Sequence, residues 1–177
     1  MLVVGDVGVG KTRFVAEGLG CAAAGRMLGV SGACLPLAEK LPLLPVADAV
    51  NELGRLNDGR LLETALGTVP RYVRAEIGRL VPQLRAAGDR VGVRGEGWQR
   101  ERLFAGVAEL LEAVARRRAV GLVIEDVHWA DSATLDCLTY LSRAARGNAL
   151  TVVVTCRSDE VRLDPWVSDW LAHVRGS

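Results

Sequence analysis

The sequence predicts an α/β protein in which helices cover a mainly parallel sheet, giving three layers. Two short apolar runs rich in β-branched residues, 120–124 and 150–155, lie on either side of a helical pattern over 132–146, which is the order of a β-α-β unit. A third apolar run, residues 2–4, leads through a glycine-rich loop into another helical pattern. With 177 residues, of which 50% are hydrophobic, the chain is expected to form a single domain, 1–177.

The first elements follow from apolar runs and helix breakers. The strand over 2–4 is shorter than the five or six residues that are typical of a strand, so we expect the sequence to begin inside a strand. A helix is predicted over 12–24 and a second strand over 27–35. Three prolines then indicate a loop, which is expected to last until a helix begins near residue 46.

The middle of the chain is predicted to be helical. Short helices are expected over 46–84, and the glycine-rich residues 88–97 indicate a loop. The strongest amphipathic pattern covers 101–117, where one apolar face should pack on the sheet. We therefore divide the chain into three parts. Residues 1–35 form a first β-α-β part, residues 36–97 a helical insert between strands 2 and 3, and residues 98–177 a second half.

Composition excludes several classes of partner. The 22 basic residues nearly cancel the 21 acidic ones, so no overall field attracts nucleic acid or an anionic membrane. No apolar stretch is long enough to span a bilayer. The four cysteines have no paired C-x-x-C spacing and the chain has two histidines, which argues against zinc and favours a reduced, cytoplasmic protein.

The segment Gly-Asp-Val-Gly-Val-Gly-Lys-Thr at residues 5–12 matches the phosphate-binding pattern G-x-x-x-x-G-K-[ST] in full, between a strand and a helix. Glycines let backbone N–H groups turn around phosphate oxygens, and the dipole of the following helix favours an anion. Lys11 should reach the β- and γ-phosphates, and the Thr12 hydroxyl is placed to bind Mg²⁺. The segment predicts a nucleoside triphosphate site whose candidate residues are Gly5, Asp6, Val7, Gly8, Val9, Gly10, Lys11, Thr12 and Arg13.

Two acids end the apolar strand Gly-Leu-Val-Ile-Glu-Asp at residues 121–126, which is a Walker B pattern. The first acid, Glu125, is expected to hold Mg²⁺ together with Thr12, partly through water, and the second, Asp126, to polarise the attacking water. The second acid is commonly glutamate. Because aspartate is one methylene shorter, Asp126 predicts slow hydrolysis and a switch-like use of ATP.

Further polar residues follow these strands. Thr155 and Arg157 end the strand expected beside the P-loop, where they could sense the γ-phosphate, although Arg157 has a competing interpretation as an ordinary surface arginine. His128 and Trp129 are secondary candidates, because such a pair more often packs than catalyses. Asp131 is expected to cap the helix that follows it.

Taken together, residues 5–12, residues 122–131 (Leu-Val-Ile-Glu-Asp-Val-His-Trp-Ala-Asp) and residues 152–160 (Val-Val-Val-Thr-Cys-Arg-Ser-Asp-Glu) resemble the AAA/STAND-type ATPase module of large LuxR-type bacterial transcriptional regulators. The resemblance implies a P-loop NTPase sheet ordered 5-1-4-3-2, in which ATP or ADP sets the state of a signalling protein. By position it makes Lys11 and Thr12 the Walker A pair, Glu125 and Asp126 the Walker B acids, and Thr155 with Arg157 the sensor-one region.

The chain departs from such proteins in extent, since we find no pattern for a last strand, a lid, a winged helix or a helix-turn-helix effector. We therefore expect a module core or fragment that binds ATP/ADP with Mg²⁺ and regulates another part of its parent, with no nucleic-acid contact of its own. Hydrolysis and nucleotide-dependent self-association stay open. The alternatives are a P-loop small-molecule kinase, which the late position of the acid strand argues against, and a non-hydrolysing remnant or interaction module.

Overall fold

A computed structural model describes residues 1–22, 27–36, 42–85, 96–159 and 165–176. Four strands form one sheet, and seven α-helices surround it within the described residues. The strands are β1 (Leu2–Gly5), β2 (Leu28–Ala33), β3 (Val120–Glu125) and β4 (Leu150–Arg157). The helices are α1 (Lys11–Ala22), α2 (Leu44–Arg55), α3 (Arg60–Thr68), α4 (Arg71–Leu80), α5 (Glu96–Ala115), α6 (Ser132–Ala144) and α7 (Pro165–Gly176).

The sheet is wholly parallel and has the order β1-β4-β3-β2. Residues Val30, Leu122 and Val152 stand in one row across β2, β3 and β4. The predicted fold class is confirmed, and the order agrees with the 1-4-3-2 part of the order that the resemblance implies. No fifth strand occurs among the described residues.

Two helical layers cover the two faces of the sheet. On one face Val15 of α1 packs with Val123 and Val153. The opposite face, which includes Leu122 and Ile124, belongs to the large core formed with α2 to α7. Right-handed crossovers place α1 and the later helices on opposite sides, because the chain runs across the sheet in opposite directions after β1 and after β2.

The predicted insert is part of the main core. Four residues of α2, namely Val46, Ala49, Val50 and Leu53, are buried in the same cluster as the sheet residues. The helix packs on β2, where the Glu52 carboxylate accepts hydrogen bonds from the backbone N–H and the hydroxyl of Ser31. At Gly32 the backbone of Pro45 approaches so closely that no side chain fits.

Some predicted boundaries differ from the structure. Helix α2 begins at Leu44, close to the predicted start near 46, and Pro45 occupies its first turn, where the missing N–H costs nothing. Helix α5 begins at Glu96, inside the predicted loop 88–97, whose residues 88–95 lie outside the described part of the chain. Helix α7 and a 3₁₀ turn at Val127–Trp129 have no counterpart among the predicted elements. None of the helices in the described ranges combines the length and hydropathy needed to cross a membrane.

Candidate functional site

The carboxyl ends of β1, β3 and β4 meet at one edge of the sheet and bring the predicted site residues together. The pairing of β1 with β4 sets Gly5 beside Arg157. The central strand β3 ends at Glu125, and the glycine loop joins β1 to α1. The strand order that the family resemblance implied places these strand ends together in the same way.

Lys11 lies folded over its own loop. Its ammonium Nζ donates to the carbonyl oxygens of Gly5 at 2.8 Å and Asp6 at 2.9 Å. An ammonium group has three protons, so two are used to hold the loop and the third is available to a phosphate oxygen. The same side chain therefore shapes the loop and supplies positive charge to it.

Two glycines determine the backbone conformation of the loop. Gly8 and Gly10 have φ values of 77° and 86°, a left-handed conformation that other residues rarely adopt. A Cβ built on either glycine would meet no atom within 4 Å, so the loop opens onto free space. Helix α1 starts directly after it, with Phe14 N–H donating to the Gly10 carbonyl at 2.8 Å. This geometry fits a phosphate group at a helix N-terminus.

A hydrogen bond joins the loop to the acid strand. The Thr12 hydroxyl donates to Oε2 of Glu125 at 3.0 Å, across 113 residues of sequence. Both groups are hard oxygen donors, which is the ligand type that Mg²⁺ takes from a protein when phosphates and water complete its shell. The described residues contain no cluster of three or more histidines, cysteines or acids that could hold a metal by itself. The pair Thr12 and Glu125 thus fits a magnesium ion that is shared with a nucleotide.

Asp126 leaves the strand in a left-handed conformation, with φ 54° and ψ 48°. Its backbone N–H donates to the Thr155 hydroxyl at 3.1 Å, and Thr155 is 2% exposed. Aspartate tolerates this backbone region better than most residues do. The backbone at this position therefore favours the shorter of the two acids, which gives a physical reason for the order Glu125-Asp126.

Two basic side chains flank the Asp126 carboxylate. Arg157 Nε and His128 Nδ1 each lie 4.0 Å from the same oxygen, Oδ1. The Arg157 side chain is 35% exposed, whereas that of His128 is 1% exposed. Contact of Arg157 and Thr155 with a γ-phosphate stays a prediction, and in this structure the Thr155 hydroxyl is engaged with Asp126.

The other candidate residues in the loop and in the first turn of α1 are exposed. Arg13 forms an exposed pair with Glu17 at 2.8 Å, and the side chains of Val7 and Val9 are exposed. The Asp6 carboxylate accepts a hydrogen bond from the hydroxyl of Ser158. The sequence interpretation missed Ser158, although a polar residue following the strand beside β1 was the available signal.

The AAA ATPase domain family matches residues 1–154, which include the glycine loop, both acids and most of β4. The match covers far more than half of the chain. The chain belongs to the AAA ATPase domain family. It is therefore a nucleotide-binding ATPase module by family, and its P-loop, its acid strand and their mutual contact are the parts of that module found in the structure.

This AAA ATPase domain is also similar to an uncharacterised protein of Rhizobium meliloti (strain 1021). The two are 27% identical over 179 residues, covering 97% of this chain and 17% of the relative. The chain thus spans about a sixth of the relative's length.

A cavity of about 380 Å³ in this AAA ATPase domain adjoins Thr12 and Glu125. Its lining includes Thr12 and Glu125 together with Val15, Val30 and Ser31. Another cavity, of about 240 Å³, lies among β1, β4, α6 and α7 and is mainly apolar. The cavity of about 380 Å³ lies beside the predicted nucleotide site, because Thr12 belongs to the P-loop and Glu125 to the acid strand.

Proposed function

We propose that the chain binds ATP together with Mg²⁺ and acts as a regulatory ATPase module with slow hydrolysis. The observation that carries this proposal is the hydrogen bond between Thr12 and Glu125, since it brings together the two oxygen groups that a nucleotide-bound Mg²⁺ would require. Bound Mg²⁺ would supply positive charge to the phosphate oxygens.

Each residue of the site has a task in this proposal. The loop N–H groups and Lys11 bind the phosphates, and the start of α1 adds the field of its dipole. Glu125 orients the Thr12 hydroxyl. Asp126 polarises a water molecule, while Arg157 stands beside it and is exposed enough to approach the γ-phosphate. The short side chain of Asp126 limits its reach toward that water molecule, which favours slow turnover.

The regulatory role follows from the resemblance to LuxR-type regulators. In such a protein ATP or ADP occupancy sets the state of the signalling chain, and slow hydrolysis makes the ATP state persist. The chain matches one segment of a much longer relative, so we assign effector functions, including any DNA contact in transcriptional control, to other parts of a parent protein. The proposed location is the cytoplasm, and nucleotide-dependent self-association belongs to the same proposal.

Calorimetric titration with ATP and ADP, with and without Mg²⁺, tests the binding. Lys11→Ala should weaken ATP binding by about 10- to 150-fold, because a hydrogen bond to a charged group contributes roughly 1.5–3 kcal/mol. Glu125→Gln can still accept from Thr12 but carries no charge, so it should lose the Mg²⁺-dependent part of the affinity and keep the remainder. Arg116→Ala is the matched control. This exposed arginine lies between α5 and β3, near the amino ends of the strands, whereas the site lies at their carboxyl ends.

The proposal fails if the folded wild-type protein shows no Mg²⁺-dependent gain in ATP affinity. It also fails if Lys11→Ala and Arg116→Ala bind ATP equally well. Release of phosphate from ATP, measured in the same samples, then separates a module that hydrolyses from one that only binds.

A further inference from the structure

His128 is a buried residue next to the Asp126 carboxylate. It lies in the 3₁₀ turn Val127–Trp129, which begins where the left-handed backbone of Asp126 ends the strand. Its ring packs against the ring of Trp129, with centroids 5.4 Å apart and planes at 50°. A side chain that is 1% exposed and held by a tight turn has little freedom to move.

Within the described residues, Nδ1 of His128 lies near a carboxylate oxygen and a sulfur. Oδ1 of Asp126 lies 4.0 Å away, and the sulfur of Cys156 lies 3.8 Å away. Burial raises the pKa of Cys156 to about 11, so this group is a neutral thiol at ordinary pH. A carboxylate is a much stronger hydrogen-bond acceptor than a thiol, so Nδ1–H of His128 should donate to Asp126 rather than to Cys156.

The two basic neighbours of Asp126 differ in how freely they can leave it. Arg157 is partly exposed and stands at the end of β4, from which a phosphate could attract it. If Arg157 turned to a phosphate, the carboxylate would keep its orientation only through a partner that stays in place. His128 is such a partner, because it is buried and approaches the same oxygen.

We propose that His128 is a positioning residue, which donates a hydrogen bond from Nδ1 to Oδ1 of Asp126 and thereby directs Oδ2 toward the attacking water. The proposal rests on the proposed function, in which Asp126 polarises that water. At 4.0 Å the carboxylate charge already favours a proton on Nδ1, and we expect the separation to shorten to hydrogen-bond distance when the site tightens around its ligands. His128 acts on the reaction through Asp126 and does not itself touch the substrate.

The first test uses the ligand-free protein. Long-range proton–nitrogen NMR spectra show which ring nitrogen of a histidine carries the proton, and the second histidine of the sequence, His173, is identified with a His173→Gln variant. Nδ1 of His128 should carry a proton in the wild type and in Cys156→Ala. Asp126→Gly, which suits the left-handed backbone, should move the proton to Nε2. A wild-type Nδ1 without a proton, accepting from the Cys156 thiol, would overturn the proposal.

The second test separates positioning from binding. His128→Leu keeps an apolar side chain in the buried site and should bind ATP as the wild type does, while single-turnover hydrolysis falls about 10- to 100-fold, the scale of a carboxylate displaced by roughly 1 Å. His128→Asn places an amide near Nδ1 and should recover part of the rate. Equal rates in the wild type and His128→Leu contradict the proposal.

The two tests distinguish a failure of the proposed function from a failure of the role proposed for His128. If the wild type fails to bind or hydrolyse ATP, the proposed function is wrong, and the proton position on His128 still decides whether this residue holds Asp126.

Discussion

Replacing Gly32 by alanine should destabilise the protein strongly. A Cβ at this position would lie 1.9 Å from the carbonyl oxygen of Pro45, 2.6 Å from its carbonyl carbon and 2.8 Å from its Cα. Ordinary contact begins near 3.4 Å, so the backbone of α2 would have to retreat by about 1.5 Å. The helix cannot do so freely, because Val46 and Leu53 are buried in the main core.

We expect Gly32→Ala to lower the free energy of unfolding by about 3 kcal/mol, the upper end of the usual cost of overpacking. Urea unfolding, followed by circular dichroism and extrapolated to water, measures this change. Gly67→Ala is the matched control: its Cβ meets nothing within 4 Å inside α3, so it should stabilise the protein by roughly 0.5–1 kcal/mol. A Gly32→Ala protein as stable as the wild type would refute the described packing of α2 on β2.

Two further predictions concern buried polar groups. Thr155→Val removes the acceptor of the Asp126 N–H, so hydrogen exchange at that amide should accelerate by about tenfold or more, whereas Thr155→Ser should protect it; equal exchange in both variants would count against the contact. Burial raises the pKa of Cys34 and of Cys137 from 9.0 to about 12, so the unfolded chain loses these protons first and stability should fall as pH rises from 9.0 toward 12. Urea midpoints across this range should fall less steeply in Cys137→Ala, and an unchanged slope would argue against the raised pKa.

Much of the fold could be predicted because it follows from local periodicity. The face of α5 that the pattern identified contains Val107, Leu110 and Val114, and all three are buried. The strands over β3 and β4 were recognisable as apolar β-branched runs between helices. The turn at Val127–Trp129 was not predictable in this way, because it depends on the left-handed backbone of Asp126, which a contact with Thr155 on another strand supports.

For the site as well, features that are local in the sequence could be predicted and contacts between distant residues were harder to predict. The P-loop is a set of consecutive residues, so its pattern is complete in the sequence itself. The contact of Thr12 with Glu125 could be anticipated, since parallel strands end at one edge of the sheet. The contacts of His128 with Cys156 and of Asp6 with Ser158 could not, because they depend on which way each side chain turns after its strand.

The hydrogen bond from Ser31 to Glu52 affects how the sheet can meet other chains. An edge strand normally offers unpaired N–H groups, and such an edge invites pairing with a strand of another molecule. At Ser31 on β2 the N–H is already bound to the Glu52 carboxylate, and the backbone of α2 touches the adjacent Gly32. A strand that paired here would have to displace Glu52 from Ser31, which disfavours strand addition at this point of the edge.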